Sequence, residues 1–256
     1  MGFYPPEVII GDAKRHGVRF LPPDVNQSEW NYTLEGNRQI RVGLRTISGL
    51  GEKGWDRLRT ARDERAFTDL RDFCLRTHLP RDVVSNLIRA GACDAFGPRR
   101  HLLWQLAEID YRPEELPFVM PIAEATLPAL EEIEETEWEY ELMGFSARGH
   151  AMRHYRAALN HAGAMSTAEV KQQPDGRRAR VAGAVVVRQA PPTAQGVVFI
   201  SLEDEYGLLD LVVKPAVYER YRSLLRGPTY VFVEGLVQHA TEAISVLVSD
   251  AIPCTP

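Results

Sequence analysis

After Pro174 the chain carries five β-rich segments in succession, "RRARVAGAVVVRQ", "GVVFISLED", "GLLDLVV", "TYVFVEGLVQ" and "ISVLVSDAI", with one helical stretch, "AVYERYRSLL", between the third and fourth. Few folds accept that order. Five strands with a helix between strands three and four is the element order of an OB-fold barrel. The part before it reads differently, as short helical patterns separated by glycine and proline. Trp55, Leu58 and Arg62 fall on one helical face, and Leu70, Phe73 and Cys74 make the next apolar stripe. "LPRDVVSNLIRAG" predicts a helix from near Pro80, with Val83, Val84, Leu87 and Ile88 inward and Gly91 as its stop. "GPRRHLLWQLAEI" predicts another, with Pro98 in its first turn. The acidic run "EEIEETEWEYELMGF" becomes helical toward Leu142, and "HAMRHYRAALNHAG" is a further helix closed by Gly163.

Between these patterns sits "SGLGEKG", residues 48 to 54, which from Gly49 fits the Gly-x-Gly-x-x-Gly of a dinucleotide-binding turn. That reading needs a second parallel strand about 20 residues on, ending in an acidic residue for the ribose. The region there, "FTDLRDFCLRTH", has helical spacing and no β-branched run, so a nucleotide cofactor is not expected. The alternative is a helix-hairpin-helix, two short helices joined by "ISGLG" from Ile47 to Gly51. Ile47 and Leu50 then pack between the helices. Ser48, Gly49, Leu50 and Gly51 form a turn narrow enough for a phosphate to reach the N–H groups opening the second helix, whose positive end stabilises it. Lys53, Arg57 and Arg45 add charge. A helix C-cap with an ordinary tight turn is the bland reading of the same glycines. A second hairpin is centred on "RAGACD", with Arg99 and Arg100 opening the following helix; its poorer glycine pattern also suits a purely structural role.

Charge bears on the choice. The net charge is -5, but it is unevenly spread. Arg38 to Arg100 holds fourteen Arg and Lys against eight Asp and Glu, while Glu108 to Glu141 holds twelve acidic residues and one Arg. A basic helical block therefore precedes an acidic connector and a balanced C-terminal block, and the basic block favours DNA. On the barrel, alternation puts Arg180, Ala182, Ala184, Val186 and Arg188 on one face of the first strand. With Phe199 and Lys214 they make a thin set for single-stranded nucleic acid, and Phe199 serves equally as core.

Other groupings are bland. His150, His154 and His161 read as surface histidines, and the acidic run from Glu131 to Glu141 as a solvated face. Cys74, Cys93 and Cys254 have no paired spacing and read as free thiols of a reducing compartment. No catalytic centre, metal site or cofactor is expected. The longest apolar runs are too short to cross a bilayer and the N-terminus lacks signal-peptide character, so a soluble cytoplasmic chain without membrane contact is expected.

These stretches resemble a known family, the bacterial replicative DNA polymerase III alpha subunits of the C-family, and in particular their error-prone branch. "MGFYPPEVIIGDAKRHGVRFLPPDVNQSEW" is similar to the end of the fingers domain, and "IRVGLRTISGLGEKGWDRLRTAR" with "LIRAGACDAFGPRRHLLWQL" to the helix-hairpin-helix region. "ELMGFSARGHAMRHYRAAL" resembles the link to the OB domain, with Ala151 where that link usually has proline. The most specific piece is "VAGAVVVRQAPPTAQGVVFISLEDEYGLLDLVV", in which Pro192 and Tyr206 depart slightly from the pattern. The resemblance implies an α+β chain, an all-helical helix-hairpin-helix domain followed by a five-stranded β-barrel OB-fold. It divides the chain into an end-of-fingers-like segment (1–37), a DNA-binding domain (38–109), an acidic connector (110–170) and an OB-fold (171–256). It also implies a non-catalytic, DNA-holding part of a translesion or repair polymerase, a split or shortened gene product or an excised piece, since the palm with its catalytic aspartates precedes this region in the family. Duplex backbone, single-stranded template and a catalytic polymerase subunit are then the expected partners. A protein-interaction adaptor is the competing class. "EELPF" loosely resembles a sliding-clamp-binding peptide, with Leu116 and Phe118 as its anchors.

Overall fold

The computed structural model describes residues 6–109, 127–227, 229–240 and 243–253. It divides into two compact units, Gly17–Arg148 and a second that joins the N-terminal helix to the residues from Gly149 onward. The chain thus enters through one unit, builds the other, and returns.

The barrel unit begins with α1 (Pro6–Arg15), a helix whose Val8 and Ile10 are buried. Its Arg15 donates to Glu203 at 2.7 Å, and Gly11 lies so near that a Cβ there would sit 2.5 Å from the same carboxylate. The N-terminal helix is therefore held by the barrel, whereas the sequence grouped it with residues 17–37. The barrel strands are β4 (Arg178–Gln189), β5 (Val198–Asp204), β6 (Gly207–Val213), β7 (Tyr230–Ala240) and β8 (Ala243–Ile252). They close in the order β4-β5-β6-β8-β7, antiparallel except for the β6–β8 pair. Alternate residues such as Val181, Ile200, Leu202, Leu211, Val233 and Val246 fill the interior. The predicted helix between strands three and four is present but broken at Tyr221, into α9 (Pro215–Arg220) and α10 (Arg222–Arg226).

In the other unit a small sheet, β1 (Arg19–Leu21), β2 (Thr33–Leu34) and β3 (Gln39–Arg41), precedes the helices in the order β1-β3-β2. This part is therefore helical but not wholly so. A 3-10 turn over Leu44–Thr46 leads through "ISGLG" into α2 (Glu52–Glu64), followed by α3 (Leu70–Thr77), α4 (Arg81–Arg89), α5 (Arg99–Glu108) and α6 (Glu132–Met143). Phe73, Val84, Leu87, Ile88 and Leu102, apolar positions read at helical spacing, are buried to within 1 %. Gly91 ends α4 at φ +85°, and the Ala92 N–H returns to the Leu87 carbonyl at 2.9 Å.

Two shorter helices of the barrel unit complete the chain, α7 (Met152–His161) and α8 (Thr167–Lys171). The sequence reading had no helix at Thr167–Lys171. A capping box between Ser166 and Glu169 starts it, and Val170 anchors it in the barrel core.

Candidate nucleic-acid interface

The "ISGLG" turn is fixed from within. Ile47 and Leu50 are buried, as their spacing required. Gly49 sits at φ +93°, where an L side chain is strained, and a Cβ there would also press on the Asn86 amide at 3.0 Å. That amide donates to the Ser48 carbonyl at 2.9 Å. The Ser48 N–H and hydroxyl both donate to the Leu142 carbonyl, at 3.1 and 2.9 Å, which satisfies an orphan acceptor in the last turn of α6. The Ser48 hydroxyl is therefore committed to the fold. Before the turn stands a 3-10 turn instead of a full helix, because Gly43 lets the segment around Asn31 lie against the backbone there.

Gly51 is the N-cap of α2, exposed and in extended backbone, with no side chain capping the helix. The first amide groups of α2 have no acceptor within the helix, and Lys53 among them is exposed. Gly54, the last glycine of the apparent dinucleotide fingerprint, lies inside α2 against Leu50 and Leu79, so it serves helix packing. Arg45 and Arg57 are exposed; they donate to Asn31 Oδ1 at 2.9 Å and the His78 carbonyl at 3.1 Å, bonds to neutral acceptors that leave their charge uncompensated.

The basic block is less basic on the surface than in sequence. Arg41, Arg62, Arg89 and Arg100 pair with Glu35, Glu29, Glu141 and Glu134, which come from outside the block. Arg99 departs furthest from expectation. It is 2 % exposed and bonds Asp94 at 2.9 and 3.1 Å, Glu139 at 2.6 Å and the Arg89 carbonyl at 3.0 Å. Burial works against its charge, but Asp94 and then Glu139 hold the guanidinium protonated and raise its pKa. Arg99 ties the second hairpin together and reaches no ligand. Arg100 is half-buried against Glu134 and the Pro128 carbonyl. The acidic run is likewise not simply a solvated face, since α6 turns Glu139 into the core.

On the barrel, Arg180 and Arg188 do not share a face. A β-bulge between Val185 and Val187 inserts one residue and reverses the alternation of β4. Arg188 then pairs across from the core residue Ile200 and donates to the Leu225 carbonyl at 2.9 Å, while Arg180 lies outside, bonded to Glu234 at 2.7 Å. Ala182 is buried with Phe232 beneath Met152 and Ala164, so α7 and the turn after it cover that part of the sheet. Arg180 and Arg188 are exposed despite these bonds, and so are Phe199, at 38 % between the buried Val198 and Ile200, and Lys214 where β6 ends.

His150 is not a surface histidine. Burial pushes its pKa down to about 4, with Glu205 and Asp204 opposing and Lys14 and Arg15 assisting, and the Met152 N–H donates to its Nδ1 at 3.2 Å. The folded pKa is depressed below the ordinary 6.5, so the unfolded chain binds more protons between the two values. This stabilisation is complete above about pH 6.5 and is lost as pH falls through about 4. Replacing His150 with Gln is expected to remove roughly 2 to 3 kcal/mol of the acid sensitivity in that window, read from urea midpoints at pH 7 and pH 4. An unchanged difference between the two midpoints would refute the assignment.

Cys74 and Cys93 are buried and, among the described residues, in no disulfide. Among the described residues, no group of three His, Cys, Asp or Glu is placed to hold a metal ion, and no helix is long and apolar enough to cross a membrane. Leu116, Phe118 and Cys254 lie outside the described residues.

A helix-hairpin-helix turn with an uncapped helix behind it, and a closed barrel of OB topology, make this a chain of two nucleic-acid-binding modules. Residues 17–103 match the helix-hairpin-helix motif family and residues 179–253 the OB-fold nucleic acid binding domain family. Over nearly its whole length the chain is similar to error-prone DNA polymerases. The error-prone DNA polymerase of Anaeromyxobacter sp. (strain K) is 35 % identical over 99 % of this chain, and that of Azoarcus sp. (strain BH72) 37 % identical over 100 %. The chain spans 24 % and 25 % of those relatives, about a quarter of each. Among solved structures, asparaginyl-tRNA synthetase from Pyrococcus horikoshii is similar over 35 % of this chain and 22 % of its own, at 27 % identity and a TM-score of 0.30.

Proposed function

We propose that this chain is the DNA-holding, non-catalytic part of an error-prone polymerase system. The α2 N-terminus grips the backbone of duplex DNA without reading sequence, and the open part of the barrel sheet receives single-stranded template. The observation that carries this reading is the uncapped α2 N-terminus behind a rigid glycine turn, in a unit that matches the helix-hairpin-helix family. A backbone phosphate suits it because the free amides and helix dipole act on charge alone. Lys53, Arg57 and Arg45 supply counter-charge around that point, and the bonds of the last two leave their guanidinium charge in place.

The test is fluorescence anisotropy of the whole chain with labelled duplex, primed and single-stranded DNA across a salt series. Binding is expected to be indifferent to scrambling of the sequence, and log K to fall linearly with log salt. Lys53→Glu is expected to weaken duplex binding. Binding that ignores salt, or none at low salt, would overturn the proposal. The barrel contribution is separable. Phe199→Ala is expected to weaken single-strand binding by about 1 to 3 kcal/mol, roughly five- to 150-fold, with duplex affinity kept. Equal single-strand affinity in that variant would remove the barrel from the DNA surface.

A further inference from the structure

Beside the glycine turn the fold places a second exposed element that the charge pattern did not indicate. Because Gly43 has no Cβ, the segment from Glu29 to Tyr32 runs directly against the turn before Ile47. The Leu44 and Arg45 N–H groups donate to the Glu29 and Trp30 carbonyls at 2.9 and 3.1 Å, and the Thr46 hydroxyl meets the Tyr32 hydroxyl at 3.3 Å. From Tyr32 the chain continues into β2, turns through Gly36 at φ +73° and Arg38 at φ +60°, and returns as β3. Tyr32 and Leu34 share one face by alternation and stand exposed, Leu34 at 79 %, the most open of the large apolar side chains among the described residues.

The charge there is positive. Glu35 is taken by Arg41 at 2.5 and 2.9 Å and Glu29 by Arg62 at 3.1 Å, so the nearby carboxylates are paired. Arg38, at the β2–β3 turn, and Arg45, bonded to Asn31 next to Tyr32, are exposed. An open leucine and a tyrosine in a hairpin that also exposes arginine match the minor groove, where apolar side chains pack on sugars and arginines follow the narrow, negative walls. Reach is adequate. Thr46, which the Tyr32 hydroxyl touches, is five residues from Gly51, so that contact lies at most about 18 Å from the α2 N-cap, about half of the roughly 34 Å turn of a duplex.

We propose that the β2–β3 hairpin is a second duplex-contacting element, with Tyr32 and Leu34 against the minor-groove sugars and Arg38 and Arg45 on phosphates of the duplex held at the α2 N-terminus. This rests on the reading of the glycine turn given above. The experiment is duplex anisotropy over a salt series with the whole chain carrying Leu34→Ser and Arg38→Asn. Asn tolerates the left-handed backbone at 38 and Ser relieves an exposed leucine, so thermal melts are expected to match wild type. Duplex affinity is expected to fall about tenfold, with the salt slope reduced by about 0.9 for the lost phosphate contact. A double variant that binds duplex like wild type, while Gly51→Asp does not, would overturn the hairpin proposal and leave the turn standing. If Gly51→Asp also binds normally, both fall.

Discussion

Gly51→Asp is expected to weaken duplex binding by about 10- to 100-fold while leaving the helical unit as stable as before or slightly more so. The two effects have one cause. Gly51 is an N-cap at φ -86° and ψ 172°, a conformation open to any residue, and a Cβ added there would meet nothing within 4 Å. Aspartate is among the best N-cap residues, and its carboxylate accepts from the amides two and three positions on. Those amides are the ones to which the proposed function assigns a phosphate, so the variant would fill that place with its own anion. The loss of charge-assisted hydrogen bonds, about 1.5 to 3 kcal/mol, sets the fold-change. Gly49→Asp is a poor substitute, because Gly49 needs φ +93° and is pressed against Asn86, so stability and binding would fall together. Anisotropy and urea unfolding on the same Gly51→Asp preparation check the prediction. Retained affinity in a stable variant would place the phosphate elsewhere.

Arg99→Ala is expected to cost about 3 to 5 kcal/mol of unfolding free energy, a large part of the 5 to 15 typical of a domain. Glu139 is 2 % exposed, and its Oε2 already lacks a hydrogen-bond partner. Removing Arg99 strands the whole carboxylate in the core. Asp94 is less affected, since Arg148 also holds it at 2.6 Å. Arg100→Ala, one residue on and half-buried, is expected to cost no more than about 1 kcal/mol. A double change, Arg99→Met with Glu139→Leu, is expected to recover most of the loss by replacing the ion pair with apolar packing. Urea midpoints of the four proteins decide it. Equal costs at Arg99 and Arg100 would mean that the buried pair is not holding the second hairpin.

Much of the fold was legible because strand and helix periodicities declare a buried face. The alternation through "GLLDLVV" or the spacing of Val84, Leu87 and Ile88 says which side is inward wherever the partner lies. The glycine turn was equally readable, since few local structures need apolar residues at 47 and 50 around a glycine with positive φ. The charged residues were not readable in this way. Arg99 and Arg100 are adjacent and identical in type, yet one is core and the other lies near the surface. A long polar side chain carries no periodic signal strong enough to tell a buried ion pair from a solvated one. Arg188 was misplaced for another reason. A bulge adds one residue and inverts every later assignment on the strand, and "AVVVRQ" gives no local sign of it.

By itself, then, the sequence determined the order of the barrel strands and main helices, the OB barrel and the glycine turn, because these follow from side-chain pattern and backbone freedom over a few neighbouring residues. Only the tertiary structure decided which charges face solvent, that α1 belongs with the barrel, and that Tyr32 stands beside the turn. Those outcomes depend on residues distant in sequence, Glu139 for Arg99, Glu203 for Arg15 and Thr46 for Tyr32, whose approach is set by packing and not by local propensity.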